Sequence, residues 1–194
     1  FHALRRQIYH SRRKPLIVMS PKSLLRPPDA SSDVAAFAEG HFQEIIDDPR
    51  EEVHAQGGGR LRRVLLCSGK VFYTLLAAAE EHGFDDLAIV RVEQLHPFPF
   101  EQLRELLARY DVADVVWVQE EPWNMGAWSF VVDGLRMLLP SGRELRDVGR
   151  REAASPATGS SSPRSRLTAR DNANRRRCRC WFVSIEPVMG IPLT

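Results

Sequence analysis

Residues 89 to 100 read IVRVEQLHPFPF, and this line decides the fold. Its first part, Ile89-Val90-Arg91-Val92, is mostly β-branched and apolar, as a buried strand requires. Its second part, Pro97-Phe98-Pro99, cannot extend a ladder, because proline brings no N–H to pair. Beyond that corner Phe100, Leu103, Leu106 and Leu107 recur at helical spacing. Outward on either side lie two runs of the same kind, Val64-Leu65-Leu66-Cys67 and Val115-Val116-Trp117-Val118. The first leads through Ser68-Gly69-Lys70 into Phe72, Leu75, Leu76 and Ala79 on one helical face, with Gly83 as the stop. The second turns through residues 120–126 into Trp128, Val131, Val132, Leu135 and Leu138. Buried strands alternating with amphipathic helices predict βαβ units, and so an α/β three-layer sandwich around a mostly parallel sheet. The expected strands begin at Val64, run from Leu87 to Leu95 and from Val115 to Gln119, and end with a short one at Leu145 to Val148.

The flanks are less regular. Phe1, Leu4 and Ile8 sit at helical spacing and read as the last helix of something that began earlier. Leu16-Ile17-Val18-Met19 predicts a strand at the sheet edge, closed at Ser20 because a residue before proline favours extended geometry. Lys22 to Arg26 reads as one short turn. From Asp29 to Arg63 the pattern weakens to a surface excursion, with Phe42 and Ile45-Ile46 forming a short strand that rejoins the sheet and Gly57-Gly58-Gly59 as a joint. After Gly149 the chain becomes small and turn-rich, and residues 163–180 hold seven arginines and almost nothing apolar. No periodic face there would bury against a sheet, so poor order is expected.

Bulk properties narrow the function classes. A chain of 194 residues can bury one good core, and 43% hydrophobic with 27% charged residues is ordinary for a soluble globular protein. The formal net charge of +2, though unevenly distributed, is too small to argue for nucleic acid. No run approaches the ~20 apolar residues of a membrane span. FHALRRQIYHSRRK is basic but lacks the apolar core of a signal peptide, and the absence of an initiator Met suggests a fragment of something longer. Three cysteines make no disulfide framework, so a reducing cytoplasm is the default compartment.

Two constellations could carry function. Ser68-Gly69-Lys70 lies where a buried strand meets a helix N-terminus, so backbone N–H groups and a lysine could take an anion such as a nucleotide or coenzyme phosphate. The competing reading is a tight turn with a serine cap, and the glycine spacing is not that of a Walker loop. Glu120 and Glu121 lie at the end of the third strand, where open α/β sheets place their sites. Adjacent strand residues point in opposite directions, so shared acid–base work is disfavoured. With Trp123, Asn124, Gly126 and Trp128 they read instead as an interface element built around large rings beside a glycine. The six histidines show no metal-ligand spacing, and no nucleophile elbow is present. An α/β layer with polar corners and no complete active site is what one domain of a larger enzyme looks like.

These lines also carry a resemblance. PKSLLR, SGKV, EQLxPFPF, QEExxNxGAW and AxPAxG occur here in one order, within RKPLIVMSPKSLLR, VLLCSGKVFY, AIVRVEQLHPFPF, VVWVQEEPWNMGAWSF and VGRREAASPATG. Together with FHALRRQ and HFQEIID they resemble the C-terminal region of the 2-oxoglutarate dehydrogenase decarboxylating component, the succinyl-transferring family that includes multifunctional decarboxylase relatives. The resemblance covers Phe1 to about Ser162. It implies a transketolase C-terminal-like domain that builds a homodimer and braces thiamine domains. It implies thiamine diphosphate and Mg²⁺ as cofactors of the full-length enzyme, bound upstream and not by this stretch alone. Dihydrolipoyl succinyltransferase and dihydrolipoyl dehydrogenase are the implied partners, and the bacterial cytoplasm or the mitochondrial matrix the implied compartment. No catalytic residue is carried over, and the isolated chain is expected to be inactive. The implied organisation is residues 1–14 as the tail of a pyrimidine-binding domain, 15–162 as the C-terminal α/β domain, and 163–194 as an aberrant tail that departs from the family pattern. A stand-alone module binding a phosphate at Ser68-Gly69-Lys70, and an interaction protein presenting a dimer face, remain as alternatives.

Overall fold

The computed structural model describes residues 1–12, 14–26, 30–50, 61–110, 114–140 and 143–155, together with a strand at 168–170. The glycine joint at 57–59, the prolines at 27–28 and nearly all of the tail after Ser162 lie outside the described residues. The chain divides into two compact units, Phe1–Glu44 and Ile45–Thr194.

The second unit is built as the strand–helix alternation dictates. β1 (Ile45–Ile46), β2 (Arg63–Cys67), β3 (Leu87–Val92), β4 (Asp114–Pro122), β5 (Glu144–Arg150) and β6 (Thr168–Arg170) form one sheet, ordered β1-β3-β2-β4-β5-β6. β2, β3, β4 and β5 are parallel, whereas β1 and β6 run antiparallel at the two edges. Helices α3 (Val71–His82), α4 (Phe100–Tyr110) and α5 (Trp128–Leu138) make the crossovers. Because side chains alternate along a strand, one core forms on each face. Leu65, Cys67, Ile89, Val116 and Val118 meet Val71, Phe72 and Leu75 of α3. Val64, Leu66, Val90, Val115 and Trp117 meet Leu103 and Leu107 of α4 and Trp128, Val131 and Leu135 of α5. Three layers result, and strands buried on both faces explain the unbroken apolar runs.

Element ends show where local chemistry was read well and where it was not. Gly83 closes α3 in the left-handed region at φ 65°. β1 rejoins the sheet as expected, with Ile45 opposite Val92. β3 stops at Val92, before the expected Leu95. β4 runs on to Pro122 where a turn was expected, because its register shifts: Val118 faces Val148 and Pro122 faces Arg150. Such a bulge lets a strand pass through residues that locally read as loop. Within the tail, Thr168–Arg170 pairs with Gly149–Asp147. A backbone ladder needs an open edge, not a side-chain period, so the absence of periodicity did not forbid this pairing.

The first unit holds α1 (His2–Tyr9), a 3₁₀ turn (Lys22–Leu24) and α2 (Val34–Glu39). α2 was missed by periodicity but carries a cap signal, Asp33, whose carboxylate accepts from the Ala35 N–H at 3.0 Å. α1 packs on α2 through Phe1 against Phe37 and through His2 bonded to Ala36 O at 2.7 Å. Leu16–Met19 corrects the sequence reading: the segment lies in no strand and its side chains are exposed. Strand character in sequence states a demand for a partner, and here no described residue supplies one.

Candidate functional site

The strand order reverses between β2 and β4. β2 leads to β3 on one side and the chain then crosses to β4 on the other, so the carboxyl ends of β2 and β4 bracket the topological switch point. Both sequence-derived constellations end here. A cleft of about 540 Å³ opens at this rim, lined by Ser68, Gly69, His96, Gln119, Glu121 and Phe130 among others.

On the β2 side, Gly69 takes φ 74°, which turns the chain sharply from the buried strand into α3. The capping residue of α3 is Lys70, and no side chain caps the helix, so the serine cap is absent. Lys70 Nζ stands 3.9 Å from Glu120 Oε1, with both side chains about 43% exposed. An incoming phosphate would compete with that carboxylate for the lysine. Arg91, at the end of β3, is likewise engaged: its Nε lies 2.7 Å from Glu93, its Nη1 donates to Tyr73 Oη at 3.1 Å, and it stacks on Phe72. Lys70 and Arg91 therefore already face carboxylates.

On the β4 side the organising residue is Gln119, which the sequence places at the strand end beside Glu120 and Glu121 but gives no role of its own. It is 3% exposed. Its Oε1 accepts from Trp117 Nε1 at 3.1 Å and from Trp128 N at 2.9 Å. Its Nε2 donates to the carbonyls of Pro122 at 3.1 Å and Met125 at 2.9 Å. One amide thus caps the first turn of α5, whose own capping residue Ala127 has no side chain to offer, and staples the turn that precedes it. Gly126, at φ 70°, completes the staple: a Cβ there would meet Gln119 Nε2 and Glu121 Cβ at 2.9 Å each.

The remaining interface candidates are brought into one patch. Arg150 Nε donates to Glu120 O at 2.7 Å, and Trp123 N donates to Arg150 O at 3.0 Å. The Trp123 ring lies over Gly149, whose absent Cβ would stand 3.1 Å from it. Asn124 and Ala153 exchange two bonds, Nδ2 to Ala153 O at 3.0 Å and Ala153 N to Oδ1 at 3.2 Å. Trp128 is 7% exposed and belongs to the α4–α5 core, as its place on the apolar face of α5 requires. Its size fills the space between the sheet and α5, which an aromatic count in sequence cannot separate from a contact surface.

A second buried polar group was also missed. Asp48, 1% exposed, accepts the Ile89 N–H at 2.7 Å and pairs with Arg50 Nη2 at 2.7 Å. Arg50 in turn donates to Phe84 O and Leu87 O, so the pair clips the chain after β1 to the start of β3. Burial raises the cost of charging Asp48, but the Arg50 guanidinium and two backbone N–H groups hold its carboxyl below the usual range. Burial pushes the Cys67 thiol up to about 12, so it is a packing group and not a nucleophile at neutral pH. Among the described residues no group of three or more His, Cys, Asp or Glu gathers as a metal site. No described helix is long and apolar enough to cross a membrane.

Fold and rim together define a doubly wound α/β domain whose switch point is spanned by structural hydrogen bonds. Residues 31–169 match the family described as 2-oxoglutarate dehydrogenase C-terminal. The chain is 44% identical over 160 residues to the 2-oxoglutarate dehydrogenase E1 component of Cupriavidus necator, covering 82% of this chain and 16% of the relative. It is 47% identical over 169 residues to the E1 components of Brucella ovis and Brucella canis, covering 82% of this chain and 17% of each. The chain belongs to the 2-oxoglutarate dehydrogenase E1 family, as its C-terminal region. It spans about a sixth of the length of these relatives.

Proposed function

We propose that the chain serves as the domain that supports dimerisation and braces the thiamine domains of a 2-oxoglutarate dehydrogenase. In that reading the whole enzyme decarboxylates 2-oxoglutarate and passes the succinyl group to a lipoyl arm, with dihydrolipoyl succinyltransferase and dihydrolipoyl dehydrogenase as partners in the complex. Its place is that of the complex, the bacterial cytoplasm or the mitochondrial matrix. The observation that carries the bracing role is the Gln119 staple. Four well-formed bonds from one buried amide stiffen the turn that begins with Trp123 and Asn124, and a pre-ordered rim loses little entropy when another domain docks on it.

The same rim does not fit thiamine diphosphate with Mg²⁺. A magnesium site needs free oxygen donors. Here Glu120 faces Lys70 and both ends of the Gln119 amide are taken up by the protein, which leaves Glu121 as the single carboxylate among the described lining residues, too few for such a site. The cofactor belongs to other parts of the enzyme in this reading, and no step of the reaction is assigned to these residues.

The test uses a chimera in which this chain replaces the matched stretch of the Cupriavidus necator E1 component. The expected result is a chimera that sediments with the same coefficient as the intact relative. The isolated chain, given 2-oxoglutarate, thiamine diphosphate and Mg²⁺, should release no carbon dioxide above buffer. A chimera that sediments as a smaller species, or an active isolated chain, would overturn the proposal.

A further inference from the structure

The cleft of about 540 Å³ at the carboxyl ends of β2 and β4 has the size of a small-molecule site. Its chemistry follows from the alternation of β4. Trp117, Gln119 and Glu121 stand two residues apart and all three line the cleft, whereas Glu120 between them meets Lys70 at 3.9 Å. Two adjacent carboxylates are thereby divided between two environments. Glu120 is answered by a cation, while among the described residues no hydrogen bond or ion pair takes up the Glu121 carboxylate.

Trp117 and Gln119 are buried and form the floor. Their polar atoms are spent on the protein: the indole N–H donates to Gln119 Oε1, and Gln119 Nε2 donates to the carbonyls of Pro122 and Met125. No Lys or Arg stands among the described residues that line the cleft. Its walls are apolar and aromatic. Leu95 lies beyond the end of β3, and Phe130, 55% exposed in the first turn of α5, meets the His96 ring edge-on with centroids 6.0 Å apart.

These features select among ligands. An anion would find a carboxylate at the rim and no spare donor in the floor. A divalent metal ion needs several oxygen donors, and Glu121 is a single carboxylate. A neutral apolar molecule would strip water from Glu121 and put nothing in its place. An ammonium group satisfies each part: it pairs with the carboxylate, rests against a ring, and carries an apolar body onto Leu95 and Phe130.

We propose that the switch-point cleft binds a small organic cation, an ammonium joined to an apolar or aromatic body. Glu121 takes the charge, and Leu95, His96 and Phe130 take the body. The site does not depend on the family reading, since every group it uses belongs to the unit Ile45–Thr194.

Three probes that share a phenyl ring and differ in head charge test it: 2-phenylethylammonium, 2-phenylethanol and phenylacetate. Each is titrated into the isolated 194-residue chain, and binding is followed by the amide shifts of Gly69, Gly126 and Ala127, which line the cleft. The cation should bind about tenfold more tightly than the alcohol, the combined worth of a part-exposed ion pair and a cation against a ring. Phenylacetate should bind more weakly than either. Glu121→Gln should remove the preference for the cation and leave the alcohol's affinity and the melting temperature unchanged, because its side chain is exposed and bonded to no described residue. Phe130→Ala should weaken cation and alcohol alike. Equal binding of cation and alcohol would overturn the proposal, as would a cation preference that survives in Glu121→Gln, or tighter binding of phenylacetate. So would unmoved amides at about 10 mM cation, a concentration that fills a millimolar site. The same titration in the Cupriavidus necator chimera separates a ligand site from a surface that another domain covers. The cation should bind the chimera as tightly as the isolated chain. Loss of its binding in a chimera whose β2 and β4 amides are protected would overturn the proposal in favour of a domain contact.

Discussion

Replacing Gln119 with Met tests the switch-point staple with little change of volume. The substitution removes every polar atom of the side chain at a site that is 3% exposed. The Met125 carbonyl belongs to the turn at the rim and can turn to water, whereas Pro122 is the buried last residue of β4. The indole N–H of Trp117, on a ring 1% exposed, and the first amide of α5 at Trp128 cannot do so easily. Each buried donor left without an acceptor costs about 1–3 kcal/mol. Two such donors, relaxing together, give an expected loss of roughly 2–4 kcal/mol. For a domain of this size that is a fall in melting temperature on the order of 10 °C. Urea titration followed by tryptophan emission is the assay, because Trp117 and Trp128 are bonded to the lost amide and their emission reports the local change. Gln119→Glu should be worse than Met near neutral pH, since a carboxylate can accept from both tryptophan sites but faces two carbonyls it cannot donate to. A loss below about 0.5 kcal/mol for Gln119→Met, the level of an ordinary surface change, would refute the reasoning.

Other expected outcomes follow from burial and backbone geometry. Trp128→Ala should cost roughly 3–5 kcal/mol by denaturant titration, since it empties a core site. Gly126→Ala should cost roughly 1–3 kcal/mol, as it combines φ 70° with a Cβ clash, whereas Gly69→Ala, at φ 74° in open space, should cost about 1 kcal/mol. Asp48→Asn should destabilise by about 3 kcal/mol at pH 7, leaving Arg50 buried beside a neutral partner. The native Asp48 pKa is lowered from 3.8, so its contribution is present above that value and is lost as pH falls through the lower folded value. Wild type should therefore lose its advantage over Asp48→Asn in melts taken at progressively more acidic pH below that point. Deleting residues 163–194 should shift the melting temperature by less than about 3 °C, because the strand it removes pairs only three residues.

The sheet and its crossovers were legible because each carries a period. Apolar runs at Val64, Leu87 and Val115 fixed three parallel strands, and Phe72, Leu103 and Val131 fixed which helix faces bury. What escaped the sequence has no period. Gln119 is one amide at a strand end, and only the fold brings Trp117, Met125 and Trp128 around it. Asp48-Pro49-Arg50 reads as an ordinary loop until β3 comes alongside and offers Ile89 N–H. Glu120-Glu121-Pro122 reads as a turn because a bulge has no local signature. Leu16–Met19 has the composition of a strand but lies in none, because composition cannot supply the partner a ladder needs. Ser68-Gly69-Lys70 and Glu120 were each visible in the sequence. Their meeting across the switch point depends on strand order β3-β2-β4, which neither motif contains.

The central claim is that this chain can act as the C-terminal domain of a 2-oxoglutarate dehydrogenase E1 component. Carbon dioxide release from 2-oxoglutarate by the Cupriavidus necator chimera, with thiamine diphosphate and Mg²⁺ supplied, tests it most directly. The expected result is release within about tenfold of the intact relative, a change of about 1.4 kcal/mol in the barrier. A chimera that is folded, by protection of its β2 and β4 amides, yet releases no carbon dioxide would contradict it.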